Sequence, residues 1–156
     1  MILTDEVATQ AYGQQLGALL LPGDVVALSG SLGAGKTVLA RGLLAGAGHD
    51  GEVASPTFPI VLPYDAPFMR LPVLHADLYR VERPEELDEL GLEDALADGA
   101  LLVEWPERAG PEAWPQALRL ELRPDGEPDS NLRRLTVRVP PSWSPRWPPP
   151  LLPSPR

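Results

Sequence analysis

A chain of 156 residues with a formal net charge of −9 at pH 7 and no cysteine is long enough for one domain with a real core. The missing cysteine excludes a disulfide framework, a thiolate metal site and a cysteine nucleophile. The acidity argues against direct, tight binding of RNA or DNA, which needs a basic stripe. MILTDEVATQ lacks the basic start and apolar core of a signal peptide, and the run LGALLLP is too short to cross a bilayer. The expectation is a cytoplasmic protein without a membrane partner.

Residues 4–20 read as a helix, with Thr4 as cap, Asp5 and Glu6 in the first turn, and Val7, Ala11, Leu16, Leu19 and Leu20 at helical spacing. LPGD turns the chain. DVVALS (24–29) is a short apolar run suited to a buried parallel strand. A glycine-rich loop follows, then a helix from Lys36 to Ala45 that GAGHDG ends. The prolines of VASPTFPIVLPY require an extended chain. VLHADLY (73–79) alternates and reads as a strand, with Val73, His75, Asp77 and Tyr79 on one face. Residues 84–98 read as helical with an interruption at Gly91. ALLVEW (100–105) is a second buried strand, and ALRLEL with LRRLTVRV reads as an antiparallel hairpin around RPDGEPDSN.

This order describes an α/β domain, 1–139, whose mostly parallel central sheet carries a C-terminal antiparallel hairpin. From Pro140 the chain is proline-dense and aperiodic. Its composition reads as a disordered or polyproline tail over 140–156, with Trp143 and Trp147 available to dock elsewhere. The acidic stretch ERPEELDELGLEDALADG reads as a solvated face, with docking on a basic partner as the alternative.

Lys36 is the only lysine in the chain; every other basic side chain is arginine. It stands in GSLGAGKT, where Gly30, Gly35, Lys36 and Thr37 meet the pattern G-x-x-x-x-G-K-[ST], after an apolar strand and at the start of a helix. Glycines let successive N–H groups turn inward toward phosphate oxygens, and the helix N-terminus adds partial positive charge. A compact ammonium on a thin stem fits inside such a loop, whereas a planar guanidinium does not. Thr37 offers a hydroxyl to Mg²⁺. Such a loop needs a carboxylate for the metal or the attacking water. Glu104 ends an apolar strand, and Asp77 lies late on another. His75, two residues before Asp77, faces the same side.

The guanine-selecting N/T-K-x-D motif cannot occur, because no second lysine exists. DELG (88–91) imitates a switch motif but lies in the acidic stretch. Two other readings use the same loop: a small-molecule kinase, and a non-catalytic module gated by nucleotide. No arginine-rich lid insertion speaks for the kinase.

GSLGAGKT, SPTF, HADLYR and LLVEWPE, in this order, resemble the TsaE (YjeE) family, the P-loop ATPases of bacterial tRNA threonylcarbamoyladenosine biosynthesis. The resemblance covers about residues 5–139. It implies a P-loop NTPase-like three-layer sandwich that binds ATP with Mg²⁺ and hydrolyses it weakly alone. The implied partners are TsaD and TsaB, which transfer a threonylcarbamoyl group to adenosine 37 of tRNA, so that tRNA is met only through the complex. The implied nucleotide-binding residues are Gly30, Ser31, Leu32, Gly33, Ala34, Gly35, Lys36, Thr37, Val38 and Trp105. Thr37 and Glu104 match the Mg²⁺ ligands. Lys36, Asp77, Glu104 and the switch-like Thr57 match the catalytic groups. Ser31 stands where the family usually has Asp, Val38 where a second threonine is common, and Pro59 where a hydroxyl or small residue is more usual. Val38 leaves only a backbone N–H at its position, a loss of ~1 kcal/mol.

Overall fold

The computed structural model describes residues 1–31, 33–53 and 61–149. Seven strands form one sheet: β1 (Ile2–Leu3), β2 (Val25–Ser29), β3 (Val61–Tyr64), β4 (Val73–Asp77), β5 (Ala100–Glu104), β6 (Leu118–Pro124) and β7 (Arg133–Arg138). Their spatial order is β1-β7-β6-β2-β5-β4-β3. The four central strands β6, β2, β5 and β4 run parallel. Antiparallel strands extend both edges, including the expected β6–β7 hairpin. The α/β fold is therefore as the element order implies, with a parallel centre inside a mixed sheet.

Two helices cover one face: α1 (Glu6–Gly17) and α2 (Lys36–Gly46). Asp5, not Thr4, caps α1, its carboxylate accepting the Ala8 N–H at 2.8 Å. Aspartate here serves both as cap acceptor and as negative charge at the helix start. The helices touch backbone to backbone. A Cβ at Gly13 or Gly17 would run into Leu39 O or Leu43 O, and one at Gly42 or Gly46 into Gln10 O or Gln14 O. This interlock fixes α2, and with it the loop that precedes α2, against the rest of the domain. Leu16, Leu39 and Leu43 fill the space between helices and sheet.

The other face is covered by short 3₁₀ turns. The helix expected over 84–98 is instead two such turns, Pro84–Glu89 and Asp94–Ala97. Gly91 between them has φ +70°, so each piece is too short for an α-helix to propagate. Leu87, Leu90, Leu92 and Leu96 pack inward there, while the carboxylates are exposed. Among the described residues, no helix is long and apolar enough to cross a membrane.

The proline-rich end departs from the tail expected from its composition. Pro141–Arg146 form a 3₁₀ turn, and Trp143 is fully buried in the helix-side core. Arg146 donates to both oxygens of Asp24, at 2.6 and 3.1 Å, and to Leu19 O at 2.8 Å. Its guanidinium also lies 4.0 Å from the centre of the Trp143 ring. One buried indole contributes enough apolar area to hold a short segment that has no regular ladder. Residues 150–156 lie outside the described residues.

Candidate functional site

The loop between β2 and α2 turns on glycines in the left-handed region: φ is +78° at Gly33 and +102° at Gly35. At Gly30 the constraint is space, since a Cβ there would come within 2.5 Å of Leu122 O. Lys36 is the first residue of α2 and is only 6% exposed. Its Nζ donates to Gly30 O at 2.6 Å. The same ammonium sits 3.8 Å from the centre of the Trp105 ring. Burial lowers the Lys36 pKa, and the carboxylates of Glu104, Asp77 and Glu107 oppose that shift.

The carboxylates come from adjacent parallel strands. Asp77 of β4 and Glu104 of β5 are register partners, and Glu104 pairs on its other side with Leu28 of β2, just before the glycine loop. Parallel pairing thus places both acids at the carboxyl ends of the central strands, beside the start of α2. Glu104 is 3% exposed, and its Oε2 lies 2.7 Å from His75 Nε2. Burial raises the Asp77 pKa, with Glu104 adding repulsion; the Tyr79 N–H donated to its carboxylate at 3.0 Å, His75 and Lys36 act the other way.

Trp105 leaves β5 with φ 59° and ψ 50°, a conformation that disfavours a non-glycine residue by roughly 1–2 kcal/mol. Its ring contacts the Lys36 ammonium and the Tyr79 ring, whose centroid is 4.9 Å away.

Gly33, Gly35, Lys36, Thr37, Val38, Asp77, Glu104 and Trp105 all line one cleft of about 290 Å³. Gly30 lies beside it as the acceptor for Lys36, and Ser31 and Ala34 complete the loop turn through the Ala34 N–H to Ser31 O bond of 3.1 Å. Leu32 and Thr57 fall outside the described residues. The hydroxyl of Thr37 and the carboxylate of Glu104 are hard oxygen donors suited to Mg²⁺. No group of three or more metal-ligating side chains occurs among the described residues.

Arg133 of β7 also lines the cleft. Its Nε donates to Ala34 O at 3.0 Å and Nη2 to Gly33 O at 3.4 Å, while Nη1 donates to Ser130 O and Leu132 O at 3.0 and 2.9 Å. It ties the far hairpin to the glycine-rich loop. The sequence holds one signal for it: Arg133 shares strand parity with the inward Leu135 and Val137, so it is an arginine in an inward position.

The family model described as threonylcarbamoyl adenosine biosynthesis protein TsaE matches residues 3–134. A Streptomyces coelicolor protein named tRNA threonylcarbamoyladenosine biosynthesis protein TsaE is 41% identical over 127 residues, covering 80% of this chain and 86% of that protein. The Haemophilus influenzae protein of the same name is 39% identical over 112 residues, covering 68% of this chain and 70% of its own. The crystal structure of YdiB from Bacillus subtilis superposes with a TM-score of 0.74 at 29% identity, over 94% of this chain and 88% of that one. A glycine-loop cleft on this sheet, with a matching family model over residues 3–134 and these relatives over most of its length, places the chain in the TsaE family of tRNA threonylcarbamoyladenosine biosynthesis proteins.

Proposed function

We propose that this chain binds ATP with Mg²⁺ in the cleft and hydrolyses it slowly alone. In the cell's cytoplasm it would act as the ATPase subunit that supports repeated turnover of the TsaD–TsaB threonylcarbamoyl transferase. The observation that carries the ATP reading is the buried Lys36 ammonium at the head of α2, facing two strand-end carboxylates across the glycine loop. The named partners follow from the family resemblance.

In this reading the loop N–H groups and the N-terminus of α2 take the phosphates. Lys36 exchanges Gly30 O for phosphate oxygens, which are better partners for an ammonium. Thr37 and Glu104 would hold Mg²⁺, which when bound neutralises developing charge on the phosphates. Asp77 orients the attacking water and accepts its proton, yielding ADP and phosphate. The net charge of −9 suits a subunit that meets tRNA only through its partners.

The test is tRNA modification by TsaD–TsaB, supplied with threonylcarbamoyl adenylate, with and without this chain and ATP. Product exceeding one equivalent of transferase only when chain and ATP are both present is the expected result. Equal yields without the chain would overturn the role.

A further inference from the structure

We propose that His75 is a positioning residue: it holds the Glu104 carboxylate by one oxygen, so that the other is presented to the metal ion that accompanies the nucleotide. This rests on reading the cleft as an Mg²⁺–ATP site.

His75 lies in the middle of β4, fully buried, on the same face as Asp77. Its register partner on β5 is Leu102, two residues before Glu104. Its ring therefore reaches diagonally to Glu104 on one face of the sheet. The contact is short, 2.7 Å between Nε2 and Oε2. A carboxylate only accepts, so Nε2 carries the hydrogen and donates. Oε2 is occupied by that bond. Glu104 also lines the cleft, and Oε1 is the oxygen left for a ligand there.

The tie has a specific competitor. Glutamate has a flexible side chain, and the buried Lys36 ammonium attracts the Glu104 carboxylate across the same cleft. A carboxylate free to swing would fold onto the lysine and leave the metal with one fewer ligand. The His75 N–H prevents that swing. The Tyr64 ring lies nearby, its centroid 6.5 Å away and tilted by 39°.

Packing alone does not account for a histidine here. Its Nδ1 is buried and has no hydrogen-bond partner among the described residues, which folding disfavours. A leucine beside Val73 and Leu102 would fill the layer without an orphaned nitrogen. The polar ring is explained by what Nε2 does.

The experiment measures affinity for a non-hydrolysable ATP analogue by calorimetry, in EDTA and across a Mg²⁺ titration, for the parent, His75→Leu, His75→Gln and His75→Asn. His75→Leu is expected to need at least ~10-fold more Mg²⁺ than the parent for half-maximal enhancement of affinity over its own value in EDTA, the usual consequence of losing a ligand's supporting hydrogen bond. His75→Gln, whose amide reaches Glu104, should recover much of the response, and the shorter His75→Asn should not. A parent-like Mg²⁺ response in His75→Leu would overturn the inference. If His75→Leu fails to fold by its melting curve, equal responses of the Gln and Asn variants would overturn it. A parent whose affinity ignores Mg²⁺ would instead overturn the reading of the cleft, and this inference with it.

Discussion

The Lys36 ammonium is held between the Gly30 carbonyl oxygen, at 2.6 Å, and the face of the Trp105 ring, at 3.8 Å from its centre. A slender tetrahedral cation fits between a carbonyl and an indole in a loop this tight; a guanidinium fork does not. Lys36→Arg should therefore fold, keep its charge and lose nucleotide affinity by roughly tenfold or more. Calorimetric titration with ATP checks this. Parent-like affinity would mean that the charge alone, and not lysine shape, governs the site.

Asp77 carries a pH signature. Burial, with repulsion from Glu104, raises its folded pKa above the ordinary 3.8. Between those two values the folded chain holds more protons than the unfolded one. Stability from this group is thus full below 3.8 and is lost as pH rises through the folded value. Asp77→Asn, which can still accept the Tyr79 N–H, should melt above the parent at pH 7. That advantage should shrink as pH falls toward 3.8. Melting curves across this range decide, and a constant difference would contradict the burial argument.

Trp143 anchors the C-terminal segment. Trp143→Ala removes a fully buried indole and should destabilise the fold by about 3–5 kcal/mol, or roughly 10 °C in Tm. Truncation after Val139 removes the Arg146–Asp24 pair as well and should be no milder. Denaturant unfolding measures both. Parent-like stability of the truncated chain would show that the segment is dispensable.

Arg133 should matter through the loop rather than through net charge. Arg133→Ala removes the donors to Ala34 O and Gly33 O, and nucleotide affinity should fall by about 1.5–3 kcal/mol, as for hydrogen bonds to charged groups. Arg133→Lys should not restore it, because one ammonium cannot reach all the carbonyls that a fork reaches. Full rescue by lysine would point to a simple charge effect.

The glycine loop was legible because its essential residues are contiguous: Gly30, Gly35, Lys36 and Thr37 lie between a strand and a helix, and local chemistry dictates the turn. Asp77 and Glu104 were legible because each ends an apolar strand. Their pairing was not, since register between β4 and β5 is set by the sheet as a whole. Arg133 was hidden by distance along the chain, with only its inward parity to mark it. Trp143 was hidden by its setting, because proline density predicts an unpaired chain and says nothing of where one aromatic side chain can bury. The turns over 84–98 read as helix because their leucines recur at near-helical spacing; Pro84 and Gly91 kept them short.

ATP hydrolysis by the chain alone and with TsaD–TsaB, beside Glu104→Ala, tests the role of the cleft most directly. Slow Mg²⁺-dependent turnover that rises with the partners and disappears in Glu104→Ala, with the mutant still folded, is the predicted result. Turnover that survives in Glu104→Ala, or that ignores the partners, would contradict it.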